Sequence, residues 1–340
     1  MKILNFFKII FFNILIFFSL LIIIELIFGS WFKNNFSYRL SSERNIYRVY
    51  KFDFSNYKGE SIYKRDTNAF RYNENPIDVN DIDIIFTGGS TTNQKFLNFQ
   101  DTIVGNLDNY FNEKNFVNAG VDGLSIRGHI NSFNFWFNNI NDLKSKFYIF
   151  YLGINDQNLL RYKKKSVDEF QESDFEGNIR EYLESNSFFY KKFRLLKANL
   201  YLKYNIQKGA NIVNKDNVVY GERSKKKFIT YEEFKMNNKI NNLYFDKYIL
   251  LLNTLTNKVE KLNAKPIYIT QISGYGMNSE LFSAANAIMD HCKNKNLQCI
   301  NLAKDINLDY EDFYDSLHLT PKGSLKVSSY LSKKLEKIIN

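Results

Sequence analysis

The chain has 340 residues, 44% of them hydrophobic, which suffices for a membrane segment followed by one large domain or by a domain with an insertion. Its net charge of +10 comes from 46 basic and 36 acidic residues, partly in lysine runs at 163–165 and 225–227, which we interpret as solvated faces and not as a nucleic-acid surface. The two cysteines, Cys292 and Cys299, exclude a disulfide framework or a cysteine metal cluster and leave open one bridge or two free thiols.

The first predicted element is a membrane-spanning helix. Residues 9–28 form an apolar run that is interrupted only by Asn13, Ser19 and Glu25. At a rise of about 1.5 Å per residue such a run reaches roughly 30 Å, the thickness of the hydrocarbon core of a bilayer. Because the residues that follow it make a poor cleavage site, we favour an uncleaved transmembrane signal-anchor at residues 1–30 over a cleaved signal peptide.

Basic residues flank the predicted span on both sides, with Lys2 and Lys8 before it and Lys33 and Arg39 after it, so their balance gives no clean orientation. Long domains translocate largely regardless of loop charge. We therefore expect a single-pass protein of the inner membrane with its large domain outside the cytoplasm, on the periplasmic or extracellular face.

Residues 31–80 are aromatic and polar without a clear period, and we interpret them as a lead-in that packs on the domain or tethers it. From residue 81 to residue 340, apolar strands alternate with segments of helical length. This pattern predicts a three-layer α/β/α domain around a five-stranded parallel sheet, as in flavodoxin-like folds. The predicted strands are 83–87, 116–119, 147–152, 266–270 and 298–302, and the predicted helices include 126–141, 242–263 and 279–295.

The charged and aromatic region at about 157–240 interrupts this alternation, and we expect a mainly helical insertion there. Within it, residues 188–204 are basic and amphipathic. Such a helix can lie on a membrane surface, but an ordinary helix packed on the core is the reading that we favour from the sequence.

Four short segments follow predicted strands, at the sheet edge where sites form in such folds. In the first, Gly88 and Gly89 allow a tight turn that would expose the Ser90 hydroxyl above the sheet, although the same residues are also typical of an ordinary strand-to-helix turn. In the second, Gly123 could let its backbone N–H approach a ligand, and an ordinary turn is again the alternative. In the third, the Asn155 amide is suited to donate to a developing oxyanion, or to serve a simple turn.

The fourth segment places Asp315 three residues before His318, so that the carboxylate can orient the imidazole for proton transfer. Thr320 and Pro321 look like the cap and first residue of a final helix. The two other histidines, His129 and His291, are expected to be surface or packing residues.

Together the four segments resemble the SGNH, or GDSL-like, hydrolase family over about residues 81–156 and 242–338. The resemblance implies that Ser90 is the nucleophile and that Asp315 and His318 complete a triad. It also implies an oxyanion hole from the N–H groups of Ser90 and Gly123 and the Asn155 side chain. The usual first motif is Gly-Asp-Ser, whereas Gly89 precedes the serine here. The Gly-Gly-Ser-Thr-Thr variant occurs in membrane-linked bacterial members, and the missing carboxylate leaves open how the loop is braced.

The implied function is a serine-dependent ester hydrolase or O-acyltransferase that removes or transfers short acyl groups, acetyl above all, on envelope or secreted glycans through an acyl-serine intermediate. One alternative is a lipase or lysophospholipase at the membrane surface, with the insertion as a lipid-docking surface. Another is a non-catalytic glycan-binding or assembly module, against which the complete catalytic set argues. No metal or organic cofactor is implied, and the oligomeric state stays open.

Overall fold

The computed structural model describes residues 2–32, 44–54, 56–157, 159, 160 and 227–339, together with residues 183, 186–190, 192, 193, 196, 200 and 211–213. Most of the insertion predicted at 157–240, with its lysine run at 163–165, therefore lies outside the described residues. The flanking elements are described in full and carry the four segments singled out from the sequence.

The first element is helix α1, Lys2–Phe28. Within it, residues Phe6–Phe28 are long and apolar enough to cross a membrane, a test that a signal sequence near a chain's start also passes. Most of its large apolar side chains are exposed and make no core with the rest of the described chain.

The central sheet has five parallel strands, as predicted. All but the last strand of this sheet are almost entirely buried and lack polar alternation, which is typical of a parallel sheet covered on both faces. The chain order of these five strands across the sheet is 2-1-3-4-5, the flavodoxin-like arrangement. The strands are β3 (Ile84–Gly88), β4 (Phe116–Asn118), β5 (Phe147–Leu152), β7 (Lys265–Thr270) and β8 (Gln298–Ile300).

Successive residues of a strand point to opposite sides, so the sheet has two apolar faces. Helices cover both of them. On β5, Ile149 and Tyr151 face one hydrophobic cluster, whereas Tyr148 and Phe150 face the other. The first cluster includes residues of α3 (Ile103–Tyr110) and α9 (Pro321–Ile339). The second includes residues of α4 (Ile126–Phe135), α6 (Asn242–Glu260) and α7 (Ser279–Lys295). The shorter helices are α2 (Ser90–Asn93), α5 (Tyr231–Asn237) and α8 (Leu302–Asp305).

The lead-in forms an antiparallel hairpin that the sequence did not predict, made of β1 (Ile46–Phe54) and β2 (Tyr57–Arg65). A third strand, β6 (Asn211–Val213), pairs in parallel with β1. Aromatic residues of the hairpin pack against the loop that follows Ser90 and against Tyr314. The hairpin therefore packs next to the edge of the central sheet where the strands end. The insertion, which was predicted as mainly helical, also supplies a strand.

Four of the described helical residues between 188 and 200 leave their apolar side chains outside the described core. Phe189, Phe193, Leu196 and Leu200 are all exposed. The core-packed helix expected for this segment is therefore not what the described residues form.

Cys292 near the end of α7 and Cys299 in β8 are joined by a disulfide with a sequence separation of seven. The bridge ties an edge strand of the sheet to the helix that precedes it. Of the two states left open by the sequence, the structure has the bridged one.

The bridge predicts the thiol count of the native protein. Because both sulfurs are in the bond, a maleimide reagent should label neither cysteine when the full chain is denatured without reductant, and both after reduction. Mass spectrometry of the alkylated protein measures the count. A Cys292→Ala variant is the control and should expose one thiol before reduction, whereas two labelled thiols in the unreduced native chain would contradict the bridge.

Candidate active site

Ser90 lies at the carboxyl edge of the central sheet, where β3 ends and the short helix α2 begins. Gly89 is the residue before that helix, and its carbonyl accepts the N–H groups of Thr92 and Asn93. The turn closes at Gln94, which takes the left-handed conformation with φ 47° and donates its N–H to the Ser90 carbonyl. These bonds hold Ser90 at the end of the sheet with its hydroxyl half-exposed.

A chain of hydrogen bonds joins Ser90, His318 and Asp315. The Nε2 atom of His318 lies 2.8 Å from the Ser90 Oγ atom. The Nδ1 atom of His318 lies 2.9 and 2.8 Å from the two carboxylate oxygens of Asp315. With a proton on Nδ1 bound by the carboxylate, Nε2 is left as an acceptor for the serine hydroxyl proton. The arrangement can therefore increase the nucleophilicity of Ser90.

Asp315 is held as a carboxylate by its surroundings. Burial by itself raises its pKa, but the hydrogen bond from His318, the charge of that ring and the N–H groups of Leu317 and His318 outweigh burial and hold the pKa well below its usual range. Both N–H donors lie 2.8 Å from Oδ1. Because Asp315 and His318 are three residues apart, the Asp315 carboxylate binds both the ring nitrogen and the backbone N–H of His318. One turn therefore fixes the orientation of the imidazole.

The His318 ring is also supported from behind by aromatic packing. Tyr314 stacks on it with ring centroids 5.6 Å apart and planes 11° apart. Tyr314 in turn stacks on Phe54 of β1, with centroids 4.4 Å apart. The unpredicted hairpin therefore fixes the position of the imidazole that faces Ser90.

Asn155 lies against the backbone of the serine turn. A Cβ atom on Gly89 would overlap the Asn155 amide nitrogen. Any residue other than glycine at position 89 would therefore displace this amide from its position beside Ser90. The same amide donates to the Leu124 carbonyl at 3.0 Å. Gly123 precedes that carbonyl in a turn with φ 74°, which favours glycine. The structure thus brings together the three positions expected to donate to an oxyanion.

Two buried polar side chains that the sequence did not single out connect the strand-end turns. The Asp156 carboxylate accepts the Ile126 N–H of α4 at 2.8 Å and the Tyr248 hydroxyl at 2.6 Å. Gln271, just after β7, accepts the Ile154 N–H at 2.7 Å and donates to Thr91 Oγ1 at 2.8 Å. Gln271 occupies the same kind of strand-end position as the four segments, and that position was the signal for it.

Two buried arginines brace the loop after Ser90. Arg71 donates to the carbonyls of Asn93, Gln94 and Leu97. Arg65 donates to the Asn93 side chain and to the Gly120 carbonyl. Burial lowers the pKa of Arg71 to about 10, so its guanidinium stays charged at neutral pH. Arg65 is the last residue of β2 and Arg71 follows the hairpin, in a stretch where no period in the sequence signalled their role.

A charged pair borders the site. Lys95 Nζ lies 2.8 Å from the Asp122 carboxylate, and both side chains are about a third exposed. Asp122 also accepts the Asn93 amide at 2.8 Å. Because Asp122 directly precedes Gly123, the pair presents charge to solvent next to the expected oxyanion donors.

The remaining histidines are packing residues. His129 and His291 are buried, and desolvation lowers the pKa of His129 to about 3 and that of His291 to about 4. Both imidazoles are therefore neutral at physiological pH. His129 contacts Thr87 and His291 contacts Thr256, which places neither in the hydrogen-bond chain of Ser90.

No family model and no curated protein sequence matches the chain. Similar solved structures include a member of the lipolytic protein G-D-S-L family from Veillonella parvula, at 11% identity and a TM-score of 0.41, covering 75% of this chain and 99% of that one. The carbohydrate acetylesterase Est24 from Sinorhizobium meliloti is similar at 9% identity and a TM-score of 0.39, covering 76% and 99%. The psychrotrophic esterase EstA from a Pseudoalteromonas species is similar at 13% and 0.41, covering 76% and 100%.

The hydrogen-bond chain predicts selective reactivity at one serine. A fluorophosphonate probe reacts with serine hydroxyls that a neighbouring base activates, so we expect the full chain in detergent to be labelled at Ser90. His318→Ala should slow labelling strongly because it removes the base, and Ser90→Ala should abolish it.

Ser329→Ala, which alters an exposed serine of α9, is the matched control and should label as the parent does. Peptide mapping identifies the modified residue. Persistent labelling of the Ser90→Ala variant would place the reactive hydroxyl elsewhere.

Proposed function

We propose that the chain is a serine-dependent ester hydrolase with Ser90 as nucleophile, His318 as general base and acid, and Asp315 as the group that orients and stabilises the imidazolium. The observation that carries the proposal is the 2.8 Å approach of His318 Nε2 to Ser90 Oγ, with the opposite ring nitrogen bound by a carboxylate. This geometry serves nucleophilic catalysis at a carbonyl carbon.

The reaction proceeds in two halves. Ser90 Oγ attacks the ester carbonyl carbon while its proton passes to His318 Nε2, and the carbonyl electrons move to the oxygen. Collapse of the tetrahedral intermediate expels the alcohol, which takes the proton from His318. Water then attacks the acyl-serine with His318 as base, and the acid leaves as Ser90 regains its proton.

The oxyanion of each tetrahedral intermediate is stabilised by three donors in this proposal. They are the N–H groups of Ser90 and Gly123 and the side-chain amide of Asn155. The position of Gly89 against the Asn155 amide, and the bond from that amide to Leu124, support it. Asp156 and Gln271 are positioning residues, since they fix the turns that carry these donors.

We propose that the substrates are acetylated glycans of the envelope or of secreted material. The Lys95–Asp122 pair offers a charged donor and acceptor to sugar hydroxyls at the rim of the site. If a sugar hydroxyl attacks the acyl-serine in place of water, the reaction transfers the acyl group to the sugar instead of hydrolysing the ester. An α1 that anchors the domain outside the cytoplasm in the inner membrane suits such substrates, and a disulfide suits an oxidising compartment.

The oxyanion proposal predicts a coupled effect of two substitutions. Asn155→Ala should lower kcat for para-nitrophenyl acetate by about 100- to 1000-fold, because one donor to the transition state is lost. Gly89→Ala should lower kcat toward the same value, because the added methyl group displaces the Asn155 amide.

Steady-state kinetics of the double variant provide the check. Since both changes remove the same interaction, Gly89→Ala should cost little further in the Asn155→Ala background. Additive losses would mean that Gly89 acts independently of the amide, and an Asn155→Ala loss below about threefold would remove Asn155 from the site. Asn139→Ala, at an exposed position, is the matched control.

Acyl-chain selectivity separates the proposed deacetylase from a lipid esterase. We expect turnover of para-nitrophenyl esters to fall steeply from acetate to octanoate, because the rim of the site is polar. An apolar acyl tunnel would instead gain about 0.8 kcal/mol of binding per buried CH₂. Rates that rise with chain length would make the protein a lipid esterase.

The Lys95–Asp122 pair predicts selectivity for acetyl esters of sugars over acetyl esters of simple alcohols. Lys95→Met keeps the length of the side chain but removes its charge, so KM for an acetylated oligosaccharide should rise roughly tenfold, the effect of one charge-assisted hydrogen bond. The KM for para-nitrophenyl acetate, which has no sugar hydroxyls, should change little. Equal changes for both esters would remove Lys95 from substrate recognition.

A further inference from the structure

Glu25, the acidic interruption of the apolar run, joins α1 to the insertion. Its carboxylate accepts the backbone N–H of Phe188 at 2.9 Å and that of Phe189 at 3.0 Å. It also accepts the indole N–H of Trp31 at 2.8 Å. Ser30 donates its N–H to the Asn186 carbonyl at 2.8 Å. The end of α1 is therefore bonded to residues 186–189 at several atoms.

We call the described helical residues 188–190, 192, 193, 196 and 200 the surface helix. Its first N–H groups have no partner within the helix, and a carboxylate satisfies such donors and interacts favourably with the helix dipole. Phe28 of α1 packs on Phe188, with ring centroids 5.4 Å apart. The surface helix thus starts where α1 ends, and Glu25 is the joint between them.

One face of the surface helix is apolar and uncovered. Phe189, Phe193, Leu196 and Leu200 follow each other at intervals of four, three and four residues, which places them on one side of a helix. Their side chains are between 38% and 63% exposed. Large apolar side chains grouped in this way mark a surface that binds a membrane or another protein.

Charge in the same stretch favours the membrane. Lys192 is exposed on the surface helix. In the sequence, Lys191, Arg194 and Lys197 lie in the same stretch. A helix that combines an apolar face with basic residues binds at the boundary between lipid headgroups and acyl chains, and anionic lipids strengthen the binding. The four apolar residues, which we call the stripe, lie next in sequence to Phe188, which packs on the exposed Phe28 of α1.

We propose that the surface helix lies in the headgroup region of a phospholipid bilayer, on the face where α1 leaves the membrane, with Glu25 fixing the angle between the two helices. This inference rests on the proposed role of α1 as an anchor. It makes the catalytic domain a membrane-apposed body attached by two elements, so that ester groups close to the membrane surface are its accessible substrates.

Depth-dependent fluorescence tests the proposal. The full chain carrying Phe193→Trp is reconstituted into vesicles of phosphatidylcholine and phosphatidylglycerol, with or without bromine on the acyl chains. The parent protein, with Trp31 and Trp136, gives the background to subtract. We expect brominated lipid to quench more than half of the added fluorescence. Tyr110→Trp is the matched control, since Tyr110 is an exposed aromatic residue at the end of α3, and its added fluorescence should stay unquenched.

The joint is tested in the same vesicles. Glu25→Ala combined with Phe193→Trp should lose at least half of the quenching, because the N–H groups of residues 188 and 189 lose their acceptor. Quenching that is unchanged by Glu25→Ala would overturn the role of Glu25.

Vesicle flotation after a high-salt wash separates this inference from the anchor on which it rests. Protein that fails to float refutes the anchor. Protein that floats while Phe193→Trp is quenched no more than Tyr110→Trp overturns the surface helix as a membrane element. Emission that instead shifts to the blue as protein density rises, without quenching by lipid, would assign the stripe to a second copy of the chain and also overturn the proposal.

Discussion

The parallel alignment of the central strands is the constraint on which the candidate site depends. Because β3, β4, β5 and β7 run in the same direction, their carboxyl ends meet at one edge, and turns far apart in sequence become neighbours. Ser90, the Gly123 turn and Asn155 each follow one of these strands, and the Asp315–His318 turn closes over them before α9. Most side chains of the strands fill the two hydrophobic clusters, and Asn118 of β4 also donates to the Thr92 carbonyl in the serine turn.

Alignment of strands brings the turns close, but buried polar side chains fix their positions. Asp156 and Gln271 each join two strand-end turns. Arg71 holds the loop after Ser90 through backbone carbonyls, and Arg65 holds it through the Asn93 side chain. Polar groups in such places are costly unless they are bonded, and once bonded they specify one arrangement. The donors expected for the oxyanion are thus placed before any substrate arrives, which is the condition under which they stabilise charge most.

The sequence predicted the elements whose pattern is local. The five strands of the sheet and the helices α6 and α7 were placed within a few residues, because a continuous apolar run and a helical period are visible in one stretch of chain. The β1–β2 hairpin was missed because clear alternation, Tyr50, Phe52 and Phe54 against Lys51 and Asp53, covers only five residues of the lead-in. Strand β6 was missed because its partner lies about 160 residues away. Arg71 and Gln271 were missed because a buried polar residue looks in sequence like an exposed one. The site residues Ser90, Gly123, Asn155, Asp315 and His318 lie together as the motifs indicated, while their catalytic roles stay predictions.

The attachment of α1 at Glu25 has a consequence for how the chain folds together. The insertion touches the start of the protein twice, through β6 on β1 and through residues 186–189 on the end of α1. A chain shortened to begin after residue 32 would keep the first contact and lose the second. The surface helix would then start with unmet N–H groups and carry its apolar stripe in water, a combination that favours aggregation. The apolar helix α1 is thus an internal partner of the insertion, and a water-soluble version of the protein would require that stripe to be redesigned together with the deletion.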